Sequence, residues 1–149
     1  MEIRDFKNYK ELKATHQKEM NEFPLGAAFS NEQFNEMMEK WGLDPQKDLD
    51  KIYSIGMGCF IRKSDSKWFD DMMTRFTIEE KAFRKKKKNA IDQFYYELGN
   101  HEYCITHDLE PTLRACGITV EEFENDDFLK ECMKKAIIKY RKAMYKYGY

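Results

Sequence analysis

No run of apolar residues in this chain approaches the roughly 20 that span a bilayer. The opening MEIRDFKNYKEL also lacks the apolar segment of a secretory leader. No membrane partner is therefore expected, and a cytoplasmic location is. No Cys-x-x-Cys pair occurs, and the four cysteines, Cys59, Cys104, Cys116 and Cys132, are scattered. In a reducing compartment they are expected as free thiols filling small buried spaces. Catalytic signatures are missing too. No Lys-Ser/Thr follows Gly56-Met57-Gly58 to complete a phosphate-binding loop, and Ile105 stands where a His-Glu-x-x-His zinc helix would place its second histidine. With no repeat, low-complexity linker or clear boundary, one domain over residues 1–149 is expected.

What is present is helical. Hydrophobic residues make up 42% and aromatics 15% of the chain, enough for a core and against disorder. Phe6, Tyr9, Leu12, His16 and Met20 recur at steps of three or four and predict a helix from Asp5 to about Glu22. Ser30 with Gln33 reads as a capping box opening a helix that presents Phe34, Met37, Met38 and Trp41 and stops at Gly42. Asp44-Pro45 starts a short turn or helix. The apolar stretch Ile52–Ile61, interrupted by Gly56 and Gly58, predicts a β-hairpin or a bulged strand. Ser64 or Asp65 caps a further helix carrying Trp68, Phe69, Met72, Met73 and Phe76 inward, and Thr77 with Glu80 reads as a second box opening a long helix, or a kinked continuation of that one, through Phe94, Tyr95 and Leu98 to Gly99. A short helix follows Asp108–Pro111, Thr119 with Glu122 makes a third box, and a last helix runs from about Asp126 to Lys146. The expected fold is mainly α: about six helices around a small hairpin near residues 52–62.

Charge is the sharpest local feature. Lys81, Arg84, Lys85, Lys86, Lys87 and Lys88 fall within eight residues of a chain whose net charge is −1. Unpaired charges are costly to bury, so the block is expected at the surface, facing acid on a partner or on this protein itself. Arg62 and Lys63 are grouped with it as partner-binding residues. The last helix adds Lys130, Lys134, Lys135, Lys139, Arg141, Lys142 and Lys146, so one positive surface built from two helices is expected. The alternatives are a solvated helix face or pairing with the acidic run Glu121–Asp127.

Ala28–Phe34, Ile55–Asp65 and Tyr96–Tyr103 carry a resemblance to a known family. From about Phe23 to Tyr140 the chain resembles an uncharacterised family of small proteins found in phages and conjugative elements of low-GC Gram-positive bacteria, with the N-terminal helix outside the resemblance. The resemblance implies an accessory protein of a mobile element, of a kind that often binds and blocks host machinery, CRISPR effectors included.

Other chemistry-bearing segments have structural alternatives. Asn100-His101-Glu102-Tyr103 follows a helix end, and its adjacent histidine and glutamate suit acid–base work; a helix terminus whose carbonyls His101 satisfies explains it equally. His101, Cys104 and His107, spaced by three, are candidate zinc ligands with a distant cysteine, although the spacing is not that of a known zinc motif. Gly56-Met57-Gly58 suits a tight turn better than a nucleotide. Residues 111–127 resemble a helix-turn-helix, but the second helix is acidic and phosphate would repel it. The tyrosines of the tail, Tyr140, Tyr145, Tyr147 and Tyr149, can stack on a partner or pack on their own domain.

The leading expectation is a non-enzymatic binding protein, without a cofactor, that occludes a host protein or nucleoprotein. The alternatives are a nucleic-acid-binding accessory protein using the same basic face, and a small metal-dependent enzyme or structural zinc protein around His101, Cys104 and His107.

Overall fold

The computed structural model describes residues 2–148. Eight α-helices and three short strands follow one another: α1 (Tyr9–Glu22), β1 (Gly26–Ala27), α2 (Asn31–Lys40), β2 (Ile52–Gly56), β3 (Cys59–Arg62), α3 (Ser66–Arg84), α4 (Lys87–Asn100), α5 (Tyr103–Thr106), α6 (Glu110–Ala115), α7 (Val120–Glu124) and α8 (Asp127–Lys146). The mainly α class with a small antiparallel sheet is as expected from the sequence. No described helix is long and apolar enough to cross a membrane. The chain divides into two compact units, one of residues up to Thr15 with Arg75 onward, the other His16–Thr74.

The first unit is built on α4 and α8. Ala90, Phe94 and Leu98 recur every four residues along α4 and are fully buried. Cys132, Met133, Ala136 and Tyr140 form the matching stripe of α8, and Leu113, Cys116, Ile118 and Phe123 close the core. Burying side chains the size of Phe94 and Leu98 contributes about 1.5–3 kcal/mol each. A smaller cluster holds Tyr9, Leu12 and Phe83, with Phe6 against it. Two helix starts are capped by their own side chains: Thr119 Oγ1 accepts from Glu122 N–H (3.1 Å) and Asp126 Oδ1 from Leu129 N–H (3.1 Å).

The second unit is a three-stranded antiparallel sheet, order β1-β3-β2, with α2. Ser30 Oγ accepts from Gln33 N–H (3.1 Å), while Gln33 Oε1 accepts from Phe29 N–H (2.8 Å), one residue earlier than in the usual box. Met37, Met38 and Ile52 are buried with Phe34, Trp41 and Phe60, and the Phe34 and Phe60 rings meet edge to face at 5.5 Å. A bulge lies between Ser54 and Gly56. Gly58 (φ +74) ends the hairpin turn so close to Phe29 that an added Cβ would stand 2.5 Å from the ring, and its left-handed backbone favours glycine.

Two expectations about this frame need correction. Thr77 opens no helix: it lies inside α3, which runs unbroken through the expected start, and the break falls later, at Lys85–Lys86. The sheet gains β1, whose two residues pair with Phe60 and Cys59 and are too few to show a strand pattern.

Candidate functional site

The basic block is divided by the end of α3. Arg84, the last residue of that helix, is buried. Its Nη1 donates to the Cys116 carbonyl at 2.9 Å and to Gln93 Oε1 at 3.4 Å. Cys116 is the C-cap of α6, so the guanidinium satisfies a carbonyl that the helix end leaves free. Arg84 is therefore not part of a partner-facing surface, a correction to the expectation that the whole block is solvated. A continuous helix here would also set Lys81 against Lys85 and Arg84 against Lys88 at i,i+4, where like charges destabilise. Breaking at Lys85–Lys86 removes both pairs.

The remaining lysines stay outside. Lys81, Lys85, Lys86, Lys87 and Lys88 are exposed. α4 starts at Lys87 behind Lys86, which provides no side-chain cap, and its first turn holds no acid. The positive end of the helix dipole and two lysines thus coincide, against the usual preference for acid at that end. A groove of ≈ 710 Å³ opens here. Lys87, Lys88, Asn89, Ile91 and Asp92 of α4 line it with Lys139 of α8 and with Lys7 and Asn8 of the N-terminal segment. Among the described residues, Lys7, Lys88 and Lys139 form no ion pair, and neither do Lys81, Lys85 and Lys86. Lys139 Nζ lies 4.3 Å from the centroid of the Tyr95 ring. Lys87 Nζ is 3.0 Å from Glu131 Oε1, which Lys135 also approaches at 3.4 Å. Those two lysines hold the Glu131 carboxyl below its ordinary range, the Lys87 hydrogen bond most of all. Asp92, the one acid in the lining, turns its Oδ2 to the Tyr9 N–H at 2.8 Å.

α4 and α8 therefore share one basic groove, as their polar faces suggested. The sequence pointed to Lys87, Lys88 and Lys139. It gave no sign of Asn89 of α4, nor of Lys7 and Asn8, which reach the groove only through the packing of the N-terminal segment. Arg62 and Lys63 belong to the other unit and are engaged there. Arg62 Nε meets Asp65 Oδ2 at 2.8 Å, with its guanidinium 5.9 Å from the Trp41 ring centroid. Lys63 Nζ lies 5.0 Å from the centroid of Tyr53.

The far end of α4 handles charge differently. Glu97 is fully buried. Its Oε1 accepts from Tyr9 OH (2.7 Å) and Lys13 Nζ (3.1 Å), and its Oε2 from Asn100 Nδ2 (3.4 Å), with His101 Nε2 at 3.1 Å. Burial alone would raise this carboxyl, but the Tyr9 and Lys13 hydrogen bonds and the Lys13 charge outweigh it and hold the group below its ordinary value. Glu80 is shifted the other way, upward, chiefly by burial.

His101 is the C-cap of α4 and faces Glu97, one helical turn back. Among the described residues, no hydrogen bond joins it to the adjacent Glu102, whose backbone is left-handed (φ +54). His107 packs edge-on to Tyr103, centroids 5.8 Å apart. Cys104 and His107 share a small cavity of ≈ 240 Å³ with Tyr103, Tyr140 and Met144. Among the described residues no three histidine, cysteine or acidic side chains are grouped to hold a metal ion. The proposed zinc set of His101, Cys104 and His107 is thus not brought together.

Neither curated proteins nor solved structures include a match to this chain. One family model does match, that of DUF7659, a family of unknown function, over residues 8–139. That stretch takes in α1, which the sequence resemblance had left outside, and all the groove residues except Lys7. The chain belongs to the DUF7659 family.

Proposed function

We propose that this protein acts by binding rather than catalysis, and that the lysine groove at the start of α4 receives an acidic segment of a partner protein. One observation carries the reading: three lysines without ion-pair partners, Lys7, Lys88 and Lys139, line a single groove with the positive end of α4. Gathering exposed charges of one sign along the walls of a groove focuses the field and attracts the opposite sign. A compact acidic segment fits this chain better than a long nucleic acid does. With a net charge of −1, the whole molecule exerts no long-range pull on a polyanion, so attraction is local to clusters of lysines such as the groove. The phage and conjugative-element setting that the resemblance implies would make the partner a host protein or nucleoprotein. The action would then be occlusion of its surface, as in a counter-defence inhibitor of the anti-CRISPR kind.

The test is an anisotropy titration at low and physiological salt with a labelled poly-glutamate peptide and, separately, a single-stranded DNA. The peptide should bind, with affinity falling as salt rises, and the Lys7→Glu/Lys88→Glu/Lys139→Glu variant should lose binding while remaining folded. Preference for DNA would replace this reading with the nucleic-acid one. Indifference to both probes at low salt would end it.

A further inference from the structure

The groove is not made by α4 and α8 alone. Its third side, Lys7 and Asn8, comes from residues 2–8, which have no regular secondary structure. Such a segment frays unless something ties it down, and here it is tied at several points. Arg4 grips Glu79 of α3 through a two-pronged ion pair, Nε to Oε2 and Nη2 to Oε1, both at 2.8 Å, and its backbone N–H donates to Oε2 at 2.9 Å. Glu79 is fully buried. Phe6 packs against Tyr9, Leu12 and Phe83. Asn8 Oδ1 accepts from Glu11 N–H (2.8 Å) while Glu11 Oε2 accepts from Lys7 N–H (3.1 Å), which closes the start of α1 as a reciprocal cap. Tyr9 N–H then donates to Asp92, itself in the groove wall. Lys7 lies between the Arg4 clamp and the Tyr9 anchor.

We infer that residues 2–8 form a docked strap that completes the binding groove, with Arg4 as its positioning residue and Lys7 as the cation it delivers. This rests on the reading of the groove as an acidic-peptide site and assigns part of that site's affinity to a segment remote from the lysine block. Arg4 touches no ligand in this scheme. It acts through Lys7, because fork-shaped pairing with a buried carboxylate fixes both position and direction of the chain. Arg4 and Lys7 both precede the stretch, 8–139, covered by the family match. The strap is thus where this chain's affinity can differ from that of relatives sharing the helical wall.

The experiment is a double-mutant cycle on poly-glutamate binding with Arg4→Ala, Lys7→Ala and the double variant, read by anisotropy at several salt concentrations. Each single change should weaken binding by about 2- to 5-fold, the scale of one exposed ion pair, and flatten the salt dependence equally. The double variant should be no weaker than either single one, because releasing the strap already removes Lys7. Losses that multiply, or an Arg4→Ala protein with unaltered affinity and salt slope, would overturn the strap. A wild-type protein that binds no peptide would instead overturn the groove reading. Amide exchange supplies a readout independent of any ligand: the N–H groups of Lys7 and Tyr9 should exchange faster in Arg4→Ala, and unchanged protection there also rejects the strap. Arg75, 3.7 Å from Glu79, keeps the buried carboxylate partnered in that variant. Should Arg4→Ala fail to fold by circular dichroism, Arg4→Lys, which keeps the charge but loses the fork, runs the same cycle with the same criteria.

Discussion

At its first turn α4 presents Lys87 and Lys88 to water beside two more lysines, whereas in its last turn it draws Glu97 fully out of water and surrounds it with Tyr9, Lys13, Asn100 and His101. Both ends run against the helix dipole, which favours acid at the start and base at the finish. The buried end is compensated inside the molecule by donors from α1 and from its own terminus. The exposed end is compensated only in part, by Glu131 on Lys87. A concentration of charge in a sequence thus has two quite different fates. Where hydrogen bonds already satisfy it, the charge belongs to folding; where they do not, it is available for association.

If that contrast holds, changes at the buried end alter stability and leave binding unchanged, while changes at the exposed end do the reverse. The largest stability loss is expected from Glu97→Ala, which leaves the buried Tyr9 hydroxyl without its acceptor and a space in the core where the side chain stood, and should cost about 3–5 kcal/mol in denaturant unfolding. A loss below about 1 kcal/mol would mean that the network contributes no more than a surface pair. Arg84→Ala comes next, at about 2–3 kcal/mol, because the Cys116 carbonyl loses its donor. Poly-glutamate affinity should not change, and a large drop would return Arg84 to the binding surface.

Acid should act through Glu97 as well. Its folded-state pKa lies below the ordinary 4.5, so the stability it confers is present above that value and is lost as pH falls through the folded-state pKa. Glu80, pushed up mainly by burial, contributes in the opposite sense: its share is present below the ordinary carboxylate value and lost as pH rises through the folded one. Stability measured by urea unfolding should therefore fall on acidification below about pH 4.5, and the Glu97→Gln protein should lose less over the same interval. Equal acid sensitivity in the two proteins would assign the effect elsewhere. The smallest change in stability is expected at the exposed end, where Lys88→Glu should move unfolding by no more than about 0.5 kcal/mol yet weaken peptide binding. A destabilisation of several times that size would show that the lysine has a structural partner.

Much of the helical frame was legible because it rests on local signals. Ser30, Thr119 and Asp126 each cap a helix through a backbone N–H three residues on, a relation that sequence spacing expresses directly. The hairpin was marked by β-branched and aromatic residues around two glycines. Thr77 with Glu80 has the same spacing as a true box but lies within α3, because the buried Met72 before it and Phe83 after it keep one helix face continuous through that position. The groove was half visible. Lys87 and Lys88 stood out as part of a run, but Arg84 in the same run turned inward, a difference decided by the free carbonyl of Cys116 far along the chain. Lys7 and the buried role of Glu97 depend on α1 meeting α4, a pairing of residues more than 80 positions apart that no local pattern expresses.

Trp41 and Trp68 are the molecule's two tryptophans, and both fall in the unit His16–Thr74 that contains the sheet. Trp41 lies under the Arg62 guanidinium, and Trp68 meets Phe23 edge to face at 4.8 Å. The lysine groove belongs to the other unit and is without indole. Intrinsic emission excited at the red edge of the absorption band therefore reports on one unit alone, while circular dichroism sees the helices of both. Melting the protein with the two signals recorded together separates the fate of the sheet from that of the groove-bearing helices, and no label has to be introduced.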